Sequence, residues 1–323
     1  MQTGIETETM VRFRRLSTVD ALDAGVALWN VVHPAFAIGR TAARLAVFAP
    51  PSDVGTEMWG VDRHGKLVGF ALLKRTIPGD QGWISLLVID PDIPGHESVA
   101  ANQVARLCDS AASHGLTELH VGKDVNHFLP GLPVALADVY GPVYERKGFV
   151  RGSRAFDVRR ALTGPLPASI HADVDARPVG PEQTDLLLSF LADQFPGRWF
   201  DGAVRARRRP GGVRSYWGLW SDDTLVAFAG TSRVDAYPPP AHLSCLTDRT
   251  QRACGLGPLG VHEDKRGKRH GLTLTRAIMG SFREAGYTDV IIDWTTMVDY
   301  YAKLGFSPVA AYDSLSKPIE PAA

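Results

Sequence analysis

The stretch with the clearest chemical content runs Gly257-Pro258-Leu259-Gly260-Val261-His262-Glu263-Asp264-Lys265-Arg266-Gly267-Lys268-Arg269-His270-Gly271-Leu272. It reads as a strand, a tight basic turn and a helix start. The first turn of a helix carries unpaired backbone N–H groups and the positive end of the helix dipole, so it receives anions. Glycines at 267 and 271 let a phosphate approach the backbone, and Lys265, Arg266, Lys268, Arg269 and His270 crowd the same turn with cationic groups. A solvated basic turn would have the same composition. A second basic cluster, Arg205-x-Arg207-Arg208-Arg209 before Pro210-Gly211-Gly212, offers another place for an anion or simply a charged face. Other chemistries lack their residues. There is no Gly-x-Ser-x-Gly elbow and no His-Glu-x-x-His site. Cys108, Cys245 and Cys254 form no Cys-x-x-Cys and no metal-ligand spacing, so no metal is expected.

The elements that must hold this turn follow from periodicity. In the second half a short strand (Val174–Pro178) precedes a helical segment (Glu182–Gln194). A hairpin follows, Ser215–Trp220 and Thr224–Arg233, turning at Ser221-Asp222-Asp223. Leu256–Val261 is the strand that delivers the basic turn. Leu274, Ala277, Ile278 and Phe282 have helical spacing after it, and Gly286 suits the position just past a helix end. Asp289–Trp294 is the next strand, followed by a short helix with Tyr301.

The first half repeats this plan. Val68-Gly69-Phe70-Ala71 matches Val226-Ala227-Phe228-Ala229, and each follows a Trp-Gly pair, Trp59-Gly60 and Trp217-Gly218. Gly115-Leu116-Thr117 matches Gly286-Tyr287-Thr288, and Tyr144-Glu145-Arg146-Lys147-Gly148-Phe149 matches Tyr301-Ala302-Lys303-Leu304-Gly305-Phe306. The order is kept, which marks an internal duplication. Two prolines and a glycine in Thr163-Gly164-Pro165-Leu166-Pro167-Ala168-Ser169 suit a linker. The expected organisation is therefore 1–163, a linker over 164–170, and 171–323. The fold class is α/β with a mixed (α+β) sheet in each half. Aligning Val88 with Val261 places Ile93 where Arg266 stands and Ser98 where Gly271 stands, with Asp90, Asp92 and Glu97 alongside. Such a turn repels a phosphate. The first half also carries an insertion, Lys123 to Pro133, whose two prolines and glycine make a shaped loop, expected to wall a pocket or pack between domains.

These residues resemble the GNAT superfamily of N-acetyltransferases. The acyl-CoA signature of that family is Arg/Gln-x-x-Gly-x-Gly/Ala, after a strand and opening a helix. Arg266 fills its first position and Gly271 its last, Gly267 matches the common Arg-Gly opening, and Arg269 departs from the usual Gly. Asp299-Tyr300-Tyr301-Ala302-Lys303-Leu304-Gly305-Phe306 is similar to the family's terminal Tyr-x-Lys-x-Gly-Phe block. The resemblance implies two tandem GNAT-like domains with a degenerate first one. It implies acetyl-CoA as acyl donor, held by Leu259, Gly260, Val261, Arg266, Gly267, Lys268, Arg269, His270, Gly271 and Leu272. It implies Tyr301 as the acid that protonates the departing thiolate. Main-chain N–H groups near Val261 would polarise the thioester carbonyl. For the base, Asp293 at the strand end is the first candidate and Glu263 the second. Tyr300, next to Tyr301 on a helix, is expected to point about 100° away from it.

Composition narrows the partners. Of 323 residues, 45% are hydrophobic and 22% charged, the balance of a folded globular chain. Lys+Arg and Asp+Glu are 35 each, so there is no basic excess for nucleic acid or a membrane surface. No apolar run nears the about 18 residues of a membrane span. The expected setting is cytoplasmic, the partner a small-molecule amine, and the chain a monomer or homodimer. A non-catalytic acyl-CoA- or ligand-binding regulator and a protein-lysine acetyltransferase are the competing expectations.

Overall fold

The computed structural model describes residues 11–124, 128–168, 174–208, 212–236, 240, 243 and 252–320. Two compact units emerge. The first runs to Phe156 and takes in the chain again from Ala310. The second comprises Asp157–Ala236 and the described residues from Arg252 to Val309, while the described residues 240 and 243 group with the first.

In the first unit the sheet order is β1 (Arg12–Leu16), β2 (Val54–Arg63), β3 (Lys66–Thr76), β4 (Gln81–Ile89), β5 (Glu118–Val121), the end of β13 (Ser307–Pro318) and the start of β7 (Val150–Ala161). The short β6 (Leu132–Pro133) also pairs with β13. All the strand pairs of this unit for which a register is defined are antiparallel except β4–β5, which is parallel. Helices α1 (Val19–Val32) and α2 (Arg40–Phe48) cover one face and α3 (His96–Ser113) and α4 (Ala137–Arg146) the other. Helix α1 starts where the Thr18 hydroxyl accepts the Ala21 N–H, and it buries Leu22, Val26 and Trp29, one turn apart.

The second unit repeats the order from the other edge: the end of β7, β12 (Asp289–Thr295), β11 (Ala253–Val261), β10 (Thr224–Arg233), β9 (Tyr216–Ser221) and β8 (Asp175–Pro178). Helices α5 (Thr184–Gln194) and α6 (Arg198–Arg207) pack on one face around Phe228. Helix α7 (His270–Glu284) buries Leu274, Ile278 and Phe282, and α8 (Val298–Ala302) follows β12. Among the described residues no helix is long and apolar enough to cross a membrane.

The duplication is visible as shared backbone devices. Both hairpins turn on two residues with positive φ, His64-Gly65 and Asp222-Asp223. Helices α3 and α7 both end at a left-handed glycine, Gly115 and Gly286, and α4 and α8 both end at another, Gly148 and Gly305. In the latter pair the following Phe donates its N–H back to the Tyr carbonyl, Phe149 to Tyr144 and Phe306 to Tyr301. The Tyr-x-x-x-Gly-Phe block is thus a helix stop, with the Tyr ring edge-on to the Phe in both units.

The units do not divide at the expected linker. They divide between Phe156 and Asp157, and the last strand of the second half belongs to the first unit. Hydrogen bonding is the reason: Leu315 pairs with Val121 and Lys317 with Leu119, completing the sheet at β5. In exchange, Asp157–Ala161 completes the second unit beside β12, where Arg159 pairs with Asp289 at 2.6 Å and Leu162 N–H reaches the Thr288 carbonyl. The described linker residues lie on the second unit, with Arg276 donating to the Pro167 carbonyl.

Candidate active site

Strand β11 builds the site by losing a neighbour. Its parallel register with β12 holds at Ala253↔Asp289, Cys254↔Val290 and Gly255↔Ile291 and then ends, although β11 runs on to Val261 and β12 to Thr295. On its other side β11 stays paired with β10, out to Phe228↔Gly260 and Ala227↔Val261. The result is a V-shaped cleft between β11 and β12, with one edge of the Gly257–Val261 backbone turned into it. Among the sequence-nominated residues, Leu259 and Val261 are half-buried and Gly260 is buried beneath Phe195 and Phe228.

The basic turn closes this cleft. Arg266 folds back so that its Nε donates to the Val261 carbonyl at 3.2 Å. Gly267 has φ 78°. Arg269 is the residue that caps α7, at φ 60° and ψ 16°, the left-handed conformation that glycine adopts freely. Its carbonyl accepts from the Thr273 N–H and hydroxyl. Lys265, Arg266, Gly267, Lys268 and Arg269 are exposed, His270 is half-buried, and Gly271 and Leu272 go under the first turn. A side chain at Gly271 would stand 3.4 Å from Val261 and 3.5 Å from Leu259, so the first turn of α7 sits directly on the end of β11.

The other wall comes from β12 and α8. The Asp293 carboxylate lies within 3.5 Å of where a side chain on Gly257 would begin, so it faces across the V from β12 to β11. Tyr301 is buried, and burial raises its hydroxyl pKa above the ordinary tyrosine value, with Tyr300 and Asp293 adding to the shift. Asp293 and Tyr301 therefore share one electrostatic environment. Tyr300 does not turn away from the site as helical spacing alone suggests. Its ring meets that of Tyr301 edge-on at 5.1 Å, and its hydroxyl lies against Gly271. Glu263 is exposed on a short 3-10 turn, its N–H held by the Gln194 side chain at 3.0 Å.

Several residues of this region carry no sequence motif. Phe190, Phe195, Trp199 and Phe228 form a chain of ring contacts over β11, and Trp199 remains 38% exposed. The Arg198 guanidinium stacks over Trp294 at 4.2 Å. Trp294 has φ 49°, and its N–H is held by the buried Asp157 carboxylate at 2.9 Å. A lone tryptophan after a strand gives no signal for this; the pairing with Asp157 exists only once β7 is exchanged. The second basic cluster falls at the C-terminal end of α6, where cations complement the helix dipole, and Arg207 pairs with Asp185 at 3.1 Å. Arg209 lies outside the described residues. Among the described residues no group of three or more His, Cys, Asp and Glu could hold a metal ion.

The corresponding place in the first unit is closed. Strand pairing puts Gly69 opposite Ile89 and Ala227 opposite Val261, so Ile89, not Val88, corresponds to Val261. Gly95 caps α3 in the left-handed conformation that Arg269 adopts, which puts Glu97 rather than Ser98 at the place of Gly271. From strand end to helix cap the first unit is two residues shorter, Ile89 to Gly95 against Val261 to Arg269, so an alignment without a gap slips by one at each end, in opposite directions. Leu129 and Leu132 from the insertion line the first unit's own β4–β5 cleft, leaving a cavity of about 20 Å³ among Ser85, Tyr140 and Tyr144. Lys74 and Asp124, both buried, pair at 3.0 Å, with the Lys74 ammonium 4.4 Å above the Phe128 ring.

Residues 184–306 match the model of the acetyltransferase (GNAT) family. A comparison with curated proteins found no match. Among solved structures, a glucosamine N-acetyltransferase region related to GCN5, within a fungal multi-domain GH3 β-N-acetylglucosaminidase, superposes with a TM-score of 0.85 at 18% identity. It covers 98% of this chain, which spans only 39% of that one. A tandem GNAT protein from the clavulanic acid biosynthesis pathway gives a TM-score of 0.69 at 14% identity over 97% of this chain and 100% of its own. A GCN5-related N-acetyltransferase from Sphaerobacter thermophilus gives 0.68 at 14% identity, covering 97% of each chain. At these identities the likeness is one of fold, and that fold is the tandem GNAT architecture.

Proposed function

We propose that this chain, whose residues 184–306 form a GNAT-family domain within a tandem GNAT fold, is an acetyl-CoA-dependent N-acetyltransferase acting on a primary amine of a small molecule. One observation carries the reading. The β11 edge released beyond Gly255 runs straight into a cationic helix start, with Asp293 and Tyr301 on the facing wall. Acetyl-CoA supplies an activated thioester. The first turn of α7 and the cations from Lys265 to Arg269 would receive its diphosphate. The β11 main chain near Val261 donates hydrogen bonds to the thioester oxygen as charge builds there. Asp293 takes a proton from the incoming ammonium, whose free amine then forms the C–N bond as the C–S bond breaks. Tyr301 gives its proton to the departing sulfur and is restored by the proton that the nitrogen sheds on becoming an amide. Its raised pKa keeps it protonated, in the donor form, throughout the neutral range.

The acceptor enters beside Trp199 and Trp294, whose rings suit the face of a sugar or other flat polar molecule. The fungal relative is described as a glucosamine N-acetyltransferase, so glucosamine heads the amine panel to be tested, followed by aminoglycosides and amino-acid derivatives. The test is coenzyme A release over that panel, with wild type and Tyr301→Phe side by side. Tyr301→Phe keeps the ring that packs on Phe306 and removes only the donor. General acid catalysis is worth about 10²–10⁴-fold, so kcat is expected to fall by that order while acetyl-CoA affinity holds. Near-full turnover in the variant removes Tyr301 from the acid role. Acetyl-CoA binding with no turnover on any amine makes the chain a binder instead.

A further inference from the structure

We infer that Tyr300 is a second functional tyrosine of this site, a positioning residue whose hydroxyl donates a hydrogen bond to the diphosphate of the bound acyl-CoA; the inference rests on the proposed acyl-CoA reading. A Cβ built on Gly271 would overlap the Tyr300 hydroxyl oxygen, so that oxygen already occupies the space a side chain would take on the first turn of α7. The neighbours of the same point are Val261 and Leu259, at 3.4 and 3.5 Å, which places the hydroxyl in the wedge between the end of β11 and the helix start. The first-turn N–H groups of α7, which would hold the anion, belong to the same turn as this glycine.

The hydroxyl is also chemically available. The Tyr300 side chain makes no hydrogen bond to any described residue; its contacts are the edge-on ring of Tyr301 and the helix backbone. Burial alone pushes its pKa up to about 12, with no charged or hydrogen-bonding group contributing. The hydroxyl has no partner within the described protein and is open to solvent, so an anionic acceptor in the wedge can replace the water it meets. Gly271 then has two reasons to be glycine: the anion needs backbone, and Tyr300 needs the volume. Tyr301, one residue on, packs its ring edge-on against Phe306 instead, so the two tyrosines face different surroundings and would serve the cofactor in different ways.

The experiment is calorimetric titration of CoA into the full chain as wild type, Tyr300→Phe, Gly271→Ala and the double variant, with melting curves for each. A hydrogen bond to a charged oxygen predicts roughly 10–100-fold weaker CoA binding in Tyr300→Phe with an unchanged melting temperature. Gly271→Ala is expected to lower the melting temperature by crowding the hydroxyl, and adding Tyr300→Phe to restore it. If the hydroxyl binds phosphate, the double variant stays as weak for CoA as Tyr300→Phe. If it only fills space, the alanine methyl replaces it, affinity returns to wild type, and the inference falls. Phosphorus resonances of bound CoA give the location: the diphosphate signals should differ between wild type and Tyr300→Phe. A change confined to the 3′-phosphate, or equal affinity in Tyr300→Phe, also overturns it. Failure of wild type itself to bind CoA defeats the acyl-CoA reading, a separate outcome.

Discussion

Burial of a neutral side chain and burial of a titratable one have different consequences, and His33 shows the second. It lies in the first unit, edge-on to Trp29, with Nε2 at 3.1 Å from the Tyr140 hydroxyl. Desolvation depresses its pKa from 6.5 to about 4, partly opposed by a backbone hydrogen bond to Val32. The folded chain therefore keeps His33 neutral between pH 6.5 and about 4, while the unfolded chain takes up a proton. Stability from this group is full above pH 6.5 and is lost as pH falls toward 4, by about 3 kcal/mol in all. Denaturant unfolding at pH 7 and pH 4 should show that loss, and His33→Gln should remove most of it. An unchanged pH dependence in the variant would assign the acid sensitivity to other groups. Tyr301 behaves oppositely in function: its proton is retained because burial disfavours the phenolate, so alkaline conditions up to the ordinary tyrosine range leave the donor intact.

At the scale of one element, the start of α7 carries a cost that its sequence does not need for folding. Arg269 holds φ 60° where its own Cβ is disfavoured, about 1 kcal/mol or more for a residue other than glycine. Its counterpart in the first unit, Gly95, takes the same conformation freely. Arg269→Gly should therefore raise the melting temperature by a few degrees while weakening acetyl-CoA binding at low salt, because one guanidinium leaves the turn. A variant that is no more stable would mean the arginine side chain offsets its own strain. The same logic explains the first unit's closed cleft. Leu129 and Leu132 of an inserted segment line it, and the buried Lys74–Asp124 pair of the same unit is costly to split, since either partner alone would be a buried charge.

For the molecule as a whole, the exchange of strands decides what can be cut. A fragment beginning at Ser169 lacks Asp157–Ala161, the strand beside β12, and carries 310–320, whose partners at Glu118–Val121 it has lost. It leaves β12 with an unpaired edge and adds a loose strand, so it should be poorly soluble. A fragment running from Asp157 to Val309 holds the complete second unit and should be the more soluble of the two; equal solubility would argue that the exchange does not limit folding. Ligand stoichiometry follows from the same comparison of units. Asp90, Asp92 and Glu97 surround the first unit's turn, and its cleft is lined by the insertion, whereas four Lys and Arg side chains, Lys265, Arg266, Lys268 and Arg269, surround the second. Titration should give one acetyl-CoA site per chain, lost or weakened at least tenfold in Arg266→Ala. Two equivalent sites would contradict the division of labour.

Local pattern was sufficient for whatever depends on near neighbours. The apolar alternation of Leu256–Val261, the spacing of Leu274, Ile278 and Phe282, and the turn residues Asp222-Asp223, Gly115 and Gly286 each specify geometry within a few residues, and the elements form there. The repeat and the cationic turn were legible for the same reason. Strand ownership was not. Residues 310–318 are an amphipathic strand in either unit, and only the free edge of β5 decides where they pair. The orientation of Tyr300 was equally hidden: helical spacing sends it away from Tyr301, but α8 is five residues long and lies against the start of α7, so the packing of two helices sets its direction. The Asp157–Trp294 bond and the stack of Arg198 on that ring join residues more than ninety positions apart. Periodicity describes a residue's own element, whereas a site is made where elements from distant parts of the chain meet, and that is settled by packing and hydrogen bonding in three dimensions.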